Sequence, residues 1–367
     1  MNKINKKMKI IPVFVPHVGC PNDCVFCNQK RITGKGSTIV DGGYVGNIIE
    51  EYKKTIDDDV YTELAFFGGS FTAIDLHLQE ELLRAGKEYK DKGILHSIRC
   101  STRPDAIDED ILNLQKKYGM DIIELGIQSL DDEVLRLSNR GHTRVQSENA
   151  SRLIKEHGFV LGHQVMPGLP GSSREKDLKT CIDSIKMQPD IVRIYPTLII
   201  KDTDLVRMYE NGEYRPLTLD EAVDISALVY SIYSVNNINV IRIGLQNTEN
   251  INEENDVVAG PFHEAFRQLV EEKIYLHSII NTLKDVDLTG RHLVFSADKR
   301  LISYIAGQNK SNIKLLKEKF SVSKITFINE KDSQSIEIFA DNIKAGSFLI
   351  KDIYKNYLSF HQGELCF

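Results

Sequence analysis

The 367-residue chain has no apolar run approaching the ~20 residues that a membrane-spanning helix needs. A signal-peptide core is missing as well: behind a Lys-rich start, the run Ile10–Val15 is too short. Both absences predict a cytoplasmic chain that does not enter a membrane. Low-complexity tracts and internal repeats are also lacking. With 41% hydrophobic and 27% charged residues, the composition excludes wholesale disorder. There is no excess of positive charge, because 46 Lys and Arg face 52 Asp and Glu for a formal charge of −6. That balance excludes a chain that coats nucleic acid through bulk charge, although it permits local basic patches. Cysteine is scarce and unevenly placed. Cys20, Cys24 and Cys27 lie close together, whereas Cys100, Cys181 and Cys366 are scattered. In a reducing compartment this pattern reads as one metal site plus isolated thiols, not as three disulfides.

What is present is a rhythm of strands and helices. Ile10–Val15, Leu64–Phe67, Ser97–Cys100, Ile122–Ile127, Val160–Met166, Ile191–Tyr195 and Val240–Ile243 read as strands. Leu76–Lys90, Ile107–Lys117, Val145–His157, Arg174–Met187 and Leu219–Ser234 read as helices between them. Strands at ~25–30-residue spacing with intervening helices predict βα units and a parallel sheet. The polar and Gly-rich motifs fall just after strands, at the carboxyl-end face where such folds bind ligands. The rhythm breaks in the polar stretch Asn247–Asp256, which predicts a core domain over 1–250 and a small α+β domain over 251–367.

Cys20, Cys24 and Cys27 form a C-x3-C-x2-C array in the loop after the first strand. Soft thiolates serve zinc and iron–sulfur centres alike. A structural zinc site normally has a fourth protein ligand, for which His17 is the only nearby candidate, whereas three thiolates on a cubane leave one iron open for chemistry. The spacing alone leaves both readings open. Further motifs follow later strands. Gly68-Gly69 would let backbone carbonyls approach a ligand, or simply make a tight turn. In Ser101-Thr102-Arg103-Pro104-Asp105 the hydroxyl and guanidinium suit ribose and carboxylate groups, and Pro104 also suits a helix start. Gln128 can both donate and accept, or serve as a buried amide. In the segment Gly162–Gly171, His163 reads as structural in preference to a general base, and the prolines and glycines shape a rigid loop.

With Phe26 preceding the third cysteine, the array resembles the radical S-adenosylmethionine (SAM) superfamily signature C-x3-C-x-aromatic-C. STRPD, ELGIQS, SNRGHT, MPGLPG and the run from Arg193 through Tyr195 and Lys201 to Thr203 resemble the radical SAM half of the Elongator catalytic subunit, over about residues 10–245. That resemblance implies an α/β fold, a partial (β/α)6 TIM-like barrel, with the small α+β domain appended. It implies a [4Fe–4S] cluster on Cys20, Cys24 and Cys27, with S-adenosyl-L-methionine bound to the fourth iron. An electron donor such as flavodoxin or ferredoxin would drive reductive cleavage to a 5′-deoxyadenosyl radical that abstracts hydrogen from a substrate. Gly68, Gly69, Ser101, Arg103, Gln128 and Arg140 would line the cofactor site, Arg140 as a partner for the cofactor carboxylate, and Tyr195 and Lys201 would lie toward the substrate. The chain departs from the relative in lacking a recognisable acetyltransferase domain and its R/Q-x-x-G-x-G/A loop, so the wobble-uridine reaction itself is not carried over. The expected substrate is tRNA or another RNA. A radical enzyme acting on a small metabolite and a non-catalytic, zinc-containing RNA-binding protein are the alternatives.

From Lys299 to Lys324 the chain holds seven Lys or Arg and a single acid, Glu318. Within this stretch Gly307-Gln-Asn-Lys310 resembles the G-x-x-G loop of a KH module, which clamps a nucleic-acid backbone. Lys310 replaces the second glycine. Lys310, Lys314 and Lys317 are the candidate RNA contacts, the competing reading being a solvated helix face. Lys3, Lys6, Lys7 and Lys9 could add to such a surface or belong to a frayed terminus.

Overall fold

The computed structural model describes residues 8–15, 23–27, 40–57, 59–245 and 256–364. The elements run β1 (Met8–Val15), α1 (Gly42–Lys53), β2 (Tyr61–Gly68), α2 (Leu76–Asp91), β3 (Ser97–Thr102), α3 (Glu109–Lys117), β4 (Ile122–Gln128) and α4 (Asp132–Leu137). There follow α5 (Arg144–Glu156), β5 (Val160–Val165), α6 (Arg174–Lys186), β6 (Ile191–Ile194), β7 (Ile199–Ile200), α7 (Asp204–Glu210), α8 (Leu219–Val235), β8 (Asn239–Ile243) and β9 (Val257–Ala259). The remainder is α9 (Phe266–Leu283), β10 (His292–Ala297), α10 (Lys299–Ala306), α11 (Ser311–Phe320), β11 (Lys324–Asn329), β12 (Ser335–Ala340), β13 (Ile343–Leu349) and α12 (Ile353–Phe360). Two compact units result. One comprises the described residues of Met1–Leu217 and Gln246–Phe262, the other those of Thr218–Leu245 and His263–Phe367.

In the first unit β1 to β6 lie side by side in chain order, every neighbouring pair parallel. Among the described residues β1 has no strand along its outer edge, so the sheet is an open partial barrel. This is the expected α/β architecture. Asp75, Asp108, Asp131, Thr143 and Ser173 cap α2 to α6 through side-chain oxygens that accept first-turn N–H groups.

The register separates two sheet faces. Ile11, Val13, Leu64, Phe66, Ile98, Cys100, Ile123, Leu125, Leu161, Val192 and Ile194 share one face, buried and apolar. The opposite face carries Glu63, Arg99, Ser101, Glu124, Gln164, Arg193 and Tyr195. A parallel sheet covered on both faces would have near-continuous apolar strands, but here one face is polar and still enclosed. Its charges are at most 6% exposed. They survive there because they are paired: Arg99 bridges Glu63 and Glu124, and Arg193 donates to both Glu124 oxygens at 2.5 and 3.1 Å. Ser97 donates to Glu63, and the Arg193 guanidinium lies 5.7 Å from the Phe67 ring centre. Burial alone would raise the Glu124 carboxyl, but Arg193 and Arg99 hold it below the usual carboxylate range. Gly162 faces Glu124 across the β4–β5 pair, where a Cβ would come within 2.7 Å of the Glu124 Cγ.

In the second unit a four-stranded sheet has the order β11-β10-β12-β13, with β10 and β11 parallel and the other pairs antiparallel. It is the α+β unit expected at this end of the chain. The expected boundary at residue 250 lies outside the described residues. By compactness the division falls at Leu217, because α8 packs on α9 and α12 and its residues Ala222–Val223 and Ile225–Tyr233 are buried.

Glu124→Ala leaves the buried Arg193 without a carboxylate and Arg99 with Glu63 alone, and should destabilise the protein by about 3–5 kcal/mol. Urea unfolding at neutral pH measures this, and a loss below about 1 kcal/mol would mean that water replaces the missing carboxylate.

Candidate active site

The cysteine array is shaped by residues far away in the chain. The Cys27 N–H donates to the Cys24 carbonyl at 2.9 Å, closing a turn that contains both cysteines. The Val25 N–H donates to Ser138 O at 3.2 Å, Asn139 Nδ2 to Asp23 O at 2.7 Å, and the Leu205 N–H to Val25 O at 2.8 Å. Leu205 lies in the first turn of α7, where backbone N–H groups have no helical acceptor and are available to this turn. Val25 is buried with Ile199, Leu205 and Tyr214, and Phe26 packs against that cluster. Cys24 is buried and Cys27 half-buried. Cys20 and His17 lie outside the described residues.

Arg140 joins this turn to β4. Its Nη1 donates to Cys24 Sγ at 3.5 Å and its Nη2 to Gly126 O at 2.9 Å. The two contacts require glycine at 126, since a Cβ there would meet Arg140 Nη2 and Gln128 Nε2, each at 2.8 Å. Arg103, almost fully buried, donates from Nε and Nη2 to Asp105 at 2.9 Å and from Nη2 to the Arg140 carbonyl at 2.6 Å. Both guanidiniums were expected at the cofactor, yet the chain itself supplies acceptors to each. Burial calls for such acceptors, but the buried Arg140 Nε has no hydrogen-bond partner among the described residues.

The other expected residues sit around the carboxyl ends of the strands. Gly68 ends β2 opposite Val15 with φ 109°, a conformation that disfavours any side chain, and the Gly69 N–H reaches Val15 O at 3.5 Å. Ser101 pairs with Glu124 on the polar face. Gln128 is buried with φ 60°, in a turn tightened by the Ser129 N–H on Ile127 O at 2.7 Å. A non-glycine residue held in this region signals local strain of about 1–3 kcal/mol, a frequent mark of binding sites. Its Oε1 accepts from Gln164 at 3.4 Å. Tyr195 lies on the polar face, its hydroxyl accepting from Arg193 Nη1 at 3.3 Å. Lys201 is set apart on an exposed turn after β7, its amide donating to Asp256 O.

His163 is structural. It lies on the apolar face, its ring nitrogens bonded to Ser151 and Ser184 Oγ at 2.9 and 2.8 Å, and burial lowers its pKa to about 3. Burial pushes the Cys100 thiol far up, so it stays protonated and inert. Sequence reasoning gave no role to Glu63, Arg99, Glu124 and Arg193. Their signal is a charge at alternating positions inside otherwise apolar strands.

The loop after β5 is held from below. Asp177 on α6 accepts the Gly168 N–H at 3.0 Å and the Ser172 hydroxyl at 2.6 Å, and the Tyr214 hydroxyl donates to Gly168 O at 2.6 Å. Burial raises the Asp177 pKa to about 7, against the lowering effect of its two donors.

An open parallel sheet whose polar face meets a thiol-bearing turn at its strand ends is the arrangement of an enzyme built around a cofactor at the rim. The chain belongs to the radical SAM superfamily. The family model for the Radical SAM superfamily matches residues 14–181, and that for the Radical_SAM C-terminal domain matches 189–275. An uncharacterised protein of Methanocaldococcus jannaschii is 31% identical over 232 residues, covering 60% of this chain and 69% of its own length. The tRNA uridine(34) acetyltransferase of Methanocaldococcus infernus is 32% identical over 204 residues, covering 50% of this chain. The chain spans only 38% of that relative, and 52% of the Dehalococcoides mccartyi acetyltransferase, to which it is 28% identical. In fold the chain is similar to the archaeal Elp3 of Methanocaldococcus infernus, at 21% identity and a TM-score of 0.58, covering 92% of this chain and 76% of that one. Among the described residues, no helix is long and apolar enough to cross a membrane.

The Asp177 pKa yields a pH dependence. A carboxyl whose folded pKa is raised to about 7 holds its proton in the fold but not in the unfolded chain, so its contribution is lost as pH rises from about 4 through 7. Asp177→Asn removes this slope, so the variant should gain about 2–4 kcal/mol on wild type between pH 5 and pH 8.5. Urea unfolding at the two pH values checks it, parallel curves being the contrary result.

Proposed function

We propose that this radical SAM enzyme carries a [4Fe–4S] cluster on Cys20, Cys24 and Cys27 and takes hydrogen from RNA, specifically tRNA. The observation that carries the reading is the Arg140 guanidinium donating to the Cys24 sulfur, within a hydrogen-bonded turn that runs from Cys24 to Cys27. Soft thiols beside a fixed cation suit an anionic iron–sulfur centre, so the residues present fit the group. Cys20, Cys24 and Cys27 would hold the cluster, which, given one electron from a flavodoxin- or ferredoxin-type donor, would supply reductive C–S cleavage of S-adenosylmethionine to methionine and a 5′-deoxyadenosyl group that would leave as 5′-deoxyadenosine after taking hydrogen from the substrate.

Gly68 and Gly69 offer backbone to the cofactor, and Ser101 and Gln128 offer polar side chains. Arg140 serves the cluster-bearing turn, and Arg103 acts by holding the Arg140 main chain. Tyr195, oriented by Arg193, faces the substrate side, with Lys201 as a more distant contact. The RNA reading draws its support from relatives named for tRNA uridine(34) and from the basic stretch near the C-terminus.

Two measurements test this reading. Anaerobic reconstitution, reduction and incubation with bulk tRNA should release 5′-deoxyadenosine, and Cys24→Ala should reduce both bound iron and product to background; product undiminished in Cys24→Ala refutes the ligand assignment. Arg140→Met should still bind iron, but loss of one N–H···S bond worth ~1 kcal/mol should make the cluster potential more negative by about 40 mV. An EPR-monitored redox titration reads that shift, and an unchanged potential would show that the Arg140 contact to Cys24 does not act on the cluster.

A further inference from the structure

Beyond residue 275, where the second family match ends, the chain builds a β10–α10–α11–β11 unit with parallel outer strands and a tight loop, Gly307–Lys310, between its helices. Lys299, Lys310, Lys314, Lys317, Lys319 and Lys324 are exposed there, and none has an ion-pair partner among the described residues. This contrasts with Arg300, which is bound to Asp298, and with the lysines of α2 and α6 that pair with carboxylates. Lys314 and Lys317 lie within an arc of about 60° on α11, and Lys310 immediately precedes the helix at the end of the loop. That arc lies opposite the buried Asn312 and Leu316.

The loop that starts this row is fixed. Gly307 has φ 73°, and a Cβ there would fall 2.5 Å from Ser311 Oγ and 2.8 Å from the Asn312 nitrogen. Asn309 and Lys310 both take left-handed backbone, at φ 52° and 62°. The strain is held by Glu272 of α9, itself buried. Its carboxylate accepts the Gln308 N–H at 2.9 Å, and its carbonyl, with that of Tyr304, accepts Asn312 Nδ2 at 3.0 and 3.1 Å. Exposed lysines without counter-ions at this loop and helix, on a chain of net charge −6, give a local positive patch that suits a polyanion.

We infer that Lys310, Lys314 and Lys317 on the Gly307–Lys310 loop and α11 form a docking surface for the phosphodiester backbone of RNA. The inference deepens the reading of the chain as an RNA-directed enzyme, but the binding it describes needs no cluster. Phosphate contact by a lysine row gives affinity with little base specificity, so this surface holds the substrate and leaves base selection to the site where the chemistry occurs.

The test is fluorescence anisotropy with labelled bulk tRNA on the full chain, with and without the reconstituted cluster. K310Q/K314Q/K317Q should raise Kd at least tenfold and reduce the slope of log K against log salt by about two, as expected for three single-strand phosphate contacts. The control K92Q/K117Q/K179Q removes the same charge elsewhere and should leave Kd within about twofold, as only screened surface pairs are lost. Equal unfolding midpoints establish that the variants fold. Unchanged tRNA affinity in the first variant, or equal loss in the control, overturns the proposal. So does displacement of tRNA by polyglutamate as readily as by unlabelled tRNA, which points to an acidic protein, or tighter binding of duplex DNA of the same length. Cluster-free chain that binds tRNA yet yields no 5′-deoxyadenosine once reconstituted would sustain this surface while refuting the catalytic reading.

Discussion

The buried ion-paired row across the polar face of the sheet is the constraint to which the rest of the first unit conforms. An isolated charge in that interior would cost several kcal/mol or more. Glu63, Arg99, Glu124 and Arg193 instead neutralise one another across four strands. The arrangement fixes strand register, because a one-residue slip would move each charge onto the apolar helix-covered face. It also dictates a small residue opposite Glu124, which is Gly162. The same row ends at Tyr195, so the feature that makes the interior tolerable also orients a polar group on the side where chemistry is proposed.

Above this floor a second chain of contacts runs from Asp105 through Arg103 to the Arg140 main chain, and from the Arg140 guanidinium to Gly126 and Cys24. Each link is a charged group satisfied by a fixed acceptor, so the thiol turn inherits the rigidity of β3 and β4. The loop after β5 is set in the same manner by Asp177 and Tyr214. Around the rim, side chains that sequence reasoning aimed at a ligand are first occupied in building the platform on which a ligand would rest.

The strands of the parallel sheet were legible because their apolar face is continuous enough to mark each one, and the helices because their caps and apolar stripes agree. Helix α1 was not, since Gly42, Gly43 and Gly46 weaken its helical signal, while Asp41 caps it and Val45 and Ile49 anchor it by burial. Helix α9 extends to Leu283 because Ile274, Leu276, Ile279 and Ile280 are buried along it. The cysteine spacing and the glycines showed where a site belongs. They could not show that Arg103 and Arg140 are engaged by the chain, because those partners are set by folding and not by neighbourhood in sequence. The charges of the polar face were hidden for a related reason: one Glu or Arg in a strand resembles an exposed position until adjacent strands supply its counter-ion.

The anchoring of the cysteine turn has a consequence for the order of events during synthesis. Its hydrogen bond from Asn139 to Asp23 spans 116 residues of chain, and its Val25 carbonyl is met by an amide on α7, further on still. Translation is vectorial, so the cysteines leave the ribosome long before the groups that shape their turn exist. Metal delivered to the nascent segment would meet unordered thiols. The turn around Cys24 and Cys27 therefore gains the contacts that shape it only once the chain has been made through α7.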